Sequence, residues 1–292
     1  MRGCGALVTS LEGVITGTAR AVGAAADLDG VLGRMRGLAK ALPPHDGVAV
    51  FNGVYLAVTE EIARRLAAGE FADPRTAAGL AVRFAGRYLD AVDGGPFAPR
   101  PPDCWRVLLR RRGDRALHPL QFALAGINAH VGHDLPLAVV DTGRALGCPL
   151  PSLRSDFDHV GEVLALIETR VREQLMPGPD LLEAAEPLTH LAGAWSLARA
   201  RDGAWGAARL LWMLRRHGDA AGECVEVLDA TVALAGRLLL APLPLPRPRH
   251  PARPTLSPSP APPRPAAPEA GRRRSPRLVP QSSGSSTGAI SS

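Results

Sequence analysis

Between residues 128 and 134 the chain reads Asn-Ala-His-Val-Gly-His-Asp, a stretch dense in side chains that donate, accept or ligate. On a regular helix His130 and Asp134 stand one turn apart and His133 lies beside both, so two imidazoles and a carboxylate can converge on one side. Imidazole nitrogens and carboxylate oxygens are the donors that hold zinc, manganese or iron in helical hydrolases, where the ion activates water against an ester or phosphoester. A fourth donor is offered by Asp202, which shares a helical face with Trp195, Trp205 and Trp212; an acid amid that much aromatic surface needs a partner. The candidate metal ligands are therefore His130, His133, Asp134 and Asp202. The expected ion is a divalent metal (zinc, manganese or iron), and the expected activity is metal-dependent hydrolysis of an ester or phosphoester.

A noncatalytic reading uses the same residues. Asp134 precedes Leu135-Pro136, where an acid can cap a helix that resumes after the proline. The two histidines can donate to carbonyls that Pro136 leaves free, or pair with Asp202 and Asp141 in a buried network. An organic ligand or a haem also fits such a cluster. His-x-x-His-Asp is not a specific metal signature, so a binding or scaffold module whose polar cluster is structural stands beside the hydrolase. Other devices are absent: Cys4, Cys104, Cys148 and Cys224 form no C-x-x-C pair, and there is no G-x-S-x-G elbow and no Walker or dinucleotide glycine pattern.

The element that carries the cluster is unusual. From Ala116 to His133 there are 18 residues without Asp, Glu, Lys or Arg. A helix with no charged face has no solvent side, and Gln121, Asn128, Pro119 and three histidines argue against a membrane span. It reads as a buried central helix, with Ala123, Ala125, Gly126, Ala129 and Gly132 letting neighbours approach closely, and with Pro136 kinking or breaking it. A buried amide or imidazole without a partner costs a few kcal/mol, roughly, so Gln121, Asn128, His130 and His133 need partners from other helices. After Asp46, the residues Asn52, Tyr55 and Thr59 fall at i, i+3 and i+7 with Glu60 beside them, a polar stripe placed to supply these partners. The pocket or polar network is therefore Asn52, Tyr55, Glu60, Gln121 and Asn128.

The surrounding sequence repeats the 3.6-residue apolar period without strand-like alternation. Asp27 opens Leu28, Val31, Leu32, Met35 and Leu38; Asp73-Pro74 opens Leu80, Phe84, Tyr88 and Val92. A short helix falls around Trp105 to Leu109, another carries Phe157 to Leu175, and two long ones span about Pro187 to His217 and Asp219 to Leu240. The expected fold is all-α: a single multi-helix bundle of about eight or nine helices around the central one. The expected domains are an N-terminal extension (1–26), partly helical or disordered, an all-α domain (27–241) and a disordered Pro/Arg/Ser-rich tail (242–292).

That tail holds eight arginines against Glu269 alone, a balance of +7, so residues 1–241 carry −1 of the chain's +6. The basic charge therefore belongs to the tail, which can contact an acidic partner, and specific nucleic-acid binding by the folded domain is not expected. A small-molecule ligand for the buried pocket is. Glu12 interrupts the apolar N-terminus, no signal peptide is evident, and scattered cysteines suit a cytoplasmic location.

Four phrases carry a likeness to a known family: LPPHDGVAVFNGVYLAVTE (42–60), VRFAGRYLDAV (82–92), HPLQFALAGINAHVGHDLPLAVVDT (118–142) and ARDGAWGAARLLWMLR (200–215). The chain resembles the actinobacterial domain-of-unknown-function family 5995 over about residues 28–240. The resemblance implies no activity, because the family has none to transfer. It does imply that Asn52, Tyr55, Glu60, Asn128, His130, His133, Asp134 and Asp202 belong together, since all lie inside the shared phrases.

Overall fold

In the computed structural model the described residues are 27–93, 99–175 and 196–243, with side chains described up to residue 164 in the second segment. Expectations for the N-terminal extension, for residues 176–195, which include Trp195, and for the tail beyond residue 243 fall outside them. The chain divides into two compact units, Met1–Pro246 and Arg247–Ser292, and the described residues belong to the first.

Helices form every regular element among the described residues, and no strand occurs there. In chain order they are α1 (27–41), α2 (Gly47–Ala67), α3 (Pro74–Val92), α4 (Asp103–Arg111), α5 (Pro119–Ala129), a π-helical turn (His130–Asp134), α6 (Leu135–Leu146), a short 3-10 turn (Leu150–Leu153), α7 (Arg154–Leu175), α8 (Leu197–Leu214) and α9 (Gly218–Leu239). Their ends obey local chemistry. Asp46 accepts from the Val48 and Ala49 amides at the start of α2, and Asp73 accepts from Arg75 and Thr76 with Pro74 in the first turn of α3. Gly147, with φ at 64°, closes α6 in the left-handed region that favours glycine.

The central element is one rod: α5, the π turn and α6 run without interruption from Pro119 to Leu146. No residue from Leu120 to Val140 is exposed. The uncharged stretch is thus buried as its composition requires. Around it pack α2, α4 and α9 against α5, and α3 and α8 against α6. Close approach depends on small residues: at Gly126 an added Cβ would collide with the Phe51 ring of α2. Phe51, Tyr88 and Trp105 are wholly buried around the rod, each contributing roughly 1.5–3 kcal/mol of apolar burial.

Pro136 does not break the rod. It has no N–H to donate, and the helix accommodates it by widening: the Leu135 amide reaches back five residues to the His130 carbonyl. The last helix, Gly218–Leu239, falls where its periodicity places it, and the one before it runs Leu197–Leu214, the expected span from Pro187 to residue 195 lying outside the described residues. No helix of the described residues is long and apolar enough to cross a membrane.

Candidate functional site

The widened turn gathers His130, His133 and Asp134 at the middle of the rod. Asp134 is 2% exposed. Its Oδ2 lies 2.9 Å from His130 Nδ1 and accepts from Trp105 Nε1 at 2.8 Å, while Oδ1 lies 2.8 Å from His133 Nδ1. Burial by itself would raise the Asp134 carboxyl, but the hydrogen bonds from both imidazoles outweigh it and hold the group below the usual carboxylate range. Burial pushes His130 down, more than the neighbouring carboxylate pulls it up. The consistent assignment is a carboxylate accepting three N–H donors, with both histidines presenting Nδ1–H to it. Asp134 does not cap α6, because its oxygens are committed elsewhere.

The two imidazoles meet different surroundings. His130 lies flat on Phe84, ring centroids 3.6 Å apart and planes 3° from parallel, with Tyr55 edge-on at 4.3 Å. Its Nε2 is buried and has no hydrogen-bond partner among the described residues. His133 instead faces Cys104 on α4 and Asp229 on α9: one ligand atom from each of Cys104, His133 and Asp229 lies within 4.8 Å of the others. Asp229 is held there by the α4 backbone. Pro102 at the start of α4 offers no side-chain cap, and the Asp229 carboxylate takes its place, accepting from the Asp103 and Cys104 amides at 2.8 Å each. Burial, the largest influence, and the nearby Asp134 and Asp229 charges push the Cys104 thiol up.

The remaining polar residues divide into three groups. Gln121 forms a capping box with His118 and donates to the Leu239 and Ala241 carbonyls at the end of α9, and Asn128 donates to Val232 O in the middle of that helix. Both therefore find the interhelical partners their burial demands. Asn52, wholly buried, donates to Met35 O and accepts from the Tyr88 hydroxyl, a second network joining α1, α2 and α3. Tyr55 packs against His130, whereas Glu60 is exposed and paired with Arg36 at 2.8 Å.

Asp202 lies outside both clusters. It is exposed on α8, and the buried positions of that helix are Leu197, Arg201, Ala204, Ala208 and Leu211. The buried charge there is Arg201, which donates to Phe157 O and stacks its guanidinium 4.5 Å from the Phe157 ring centre. His130, His133 and Asp134 thus assemble as a carboxylate–imidazole network, and Asp202 takes no part in it. Asp141 pairs with Arg87 rather than with either histidine. Trp105, Cys104 and Asp229 are the participants that sequence reasoning missed. Trp105 and Cys104 stand on a short amphipathic helix and Asp229 on an ordinary one, with no spacing that relates them to residue 134.

The fold and this centre define the class: an all-α protein built around a buried carboxylate–imidazole core. Residues 28–242 match the model of DUF5995, described as a family of unknown function, and the chain belongs to that family. No curated protein and no solved structure matches the chain.

Proposed function

We propose that this domain is a noncatalytic binding or scaffold module, cytoplasmic, whose buried polar network fixes the geometry of its core while the arginine-rich tail (242–292) supplies contacts to an acidic partner. One observation carries the reading. Asp134, the carboxylate a hydrolytic centre would use, is saturated by three buried donors, and His130 beside it is walled by Phe84 and Tyr55. A network so arranged stabilises a fold and offers no approach for substrate at its centre. The test is turnover. Purified full-length protein supplied with zinc, manganese or iron should leave nitrophenyl esters and phosphodiesters intact, and Asp134→Asn should lower stability without changing that. Removing residues 242–292 should abolish retention on a polyanionic resin. Metal-stimulated hydrolysis that disappears in His133→Phe would overturn the reading.

The second reading, a metal-dependent hydrolase of an ester or phosphoester, is favoured by a separate observation: His133 stands beside Cys104 and Asp229. On this reading the four residues expected as ligands divide, with His133 at the ion, His130 and Asp134 behind it, and Asp202 uninvolved.

A further inference from the structure

We propose that Cys104, His133 and Asp229 form a binding site for one thiophilic divalent cation of the zinc type, with Asp134 as the carboxylate that orients His133. The site goes beyond the scaffold reading, which requires no ion, and stands or falls independently of it.

Three features support the assignment. The first is placement. One ligand atom from each side chain lies within 4.8 Å of the other two. A tetrahedral zinc with bonds of about 2.0–2.3 Å separates its ligands by about 3.5 Å, so modest side-chain adjustment brings all three onto one ion.

The second is orientation. His133 Nδ1 is committed to Asp134 Oδ1 at 2.8 Å, which leaves Nε2 as the ring nitrogen for the metal. Zinc-binding histidines typically pass their other N–H to a carboxylate in this way, and the contact fixes both tautomer and ring angle. Asp134 is itself held by Trp105 and His130, so the orienting carboxylate is rigid.

The third is charge and donor type. A thiolate and a carboxylate together carry two negative charges, which a dication neutralises in a site where Cys104 and His133 are buried. On binding, the Cys104 S–H gives its proton to solvent and the sulfur lone pair forms the bond to the ion; nothing is oxidised or reduced. Sulfur, nitrogen and oxygen donors in this ratio select zinc over magnesium, calcium or manganese. Capping of α4 accounts for the two amide bonds to Asp229. The Cys104 thiol donates to the same carboxylate, and neither that bond nor the cap accounts for the oriented His133 imidazole converging on the pair.

Because its ligands come from α4, the π turn and α9, the ion would staple three elements separated widely in sequence. The full-length chain, stripped with chelator and dialysed against zinc, should retain about one equivalent, and its Tm should rise by about 5 °C or more at saturating zinc. Cobalt(II) in place of zinc should give thiolate-to-cobalt charge-transfer absorption. Cys104→Ser should abolish the absorption and the stoichiometric zinc. A chain carrying Cys4→Ser, Cys148→Ser and Cys224→Ser, with Cys104 as its sole thiol and the site untouched, should keep both, which guards against misfolding of the Cys104 variant. Wild type that retains no zinc and shows no cobalt–thiolate band overturns the proposal. So does loss of the band in the triple variant, or its survival in Cys104→Ser.

Discussion

His130 and His133 donate through the same ring nitrogen to the same carboxylate, at 2.9 and 2.8 Å, yet the two sides of Asp134 are different environments. On the His130 side the imidazole is packed as an aromatic ring, flat on Phe84 and edge-on to Tyr55, with Nε2 buried and without a partner among the described residues. On the His133 side the ring edge meets a thiol and a second carboxylate. Identical residue types with identical first partners thus acquire different chemistry from what packs behind them. The His130 side is built for packing, and the His133 side carries the donors on which the proposed zinc site rests. Asp134 couples them, because one carboxylate orients both rings.

The largest effect should come from removing the coupling itself. Asp134→Ala strands three buried donors, and loss of one partner from a buried charged network costs about 3–5 kcal/mol. Urea unfolding should show this loss, and zinc retention should fall with it. Gly126→Leu pushes on Phe51, which packs in the His130 wall. Overpacking there should cost about 1–3 kcal/mol in the same assay and leave zinc retention intact, since the His133 side is not touched.

His130→Phe keeps an aromatic ring on Phe84 and removes one donor to Asp134, an expected loss of about 1–2 kcal/mol. Zinc stoichiometry should be unchanged in this variant and absent in His133→Phe. Equal zinc loss in both would erase the distinction between the two sides.

Acidification should act on the His130 side. Its folded pKa is held below the unfolded value of about 6.5, so the unfolded chain takes up the proton first as pH falls. Stability should be full above about pH 6.5 and decline below it. The urea midpoint followed downward in pH should show that decline, and His130→Phe should flatten it. The smallest effect belongs to Asp202. Exposed and apart from both sides, it should tolerate Asp202→Ala within about 0.5 kcal/mol and without any change in zinc retention.

Much of the architecture was legible in the residues. The absence of charge from Ala116 to His133 marked the central rod, because a helix lacking polar charge on every face can only be buried. Asp73-Pro74 announced a helix start that the structure forms, through amide bonds that depend on neighbouring residues alone. The need of Gln121 and Asn128 for interhelical partners followed from the cost of burying amides, and α9 supplies them. Pro136 was legible as a perturbation but not as a widened turn. A missing N–H tells that one bond is lost, whereas how the helix compensates depends on the packing around it.

The candidate centre was legible only in part. Residue types and spacing along one helix determined that His130, His133 and Asp134 would share a side, since helical periodicity is a local property of the chain. Tertiary structure alone decided that Trp105 would complete the carboxylate's donors, that Arg201 rather than Asp202 would be the buried charge of α8, and that Cys104 and Asp229 would arrive beside His133. Those choices depend on the rotation and register of helices that meet from far apart in sequence, as where the amide of Cys104 bonds Asp229 across 125 residues. The packing of side chains sets that rotation, and no spacing within a single segment encodes it.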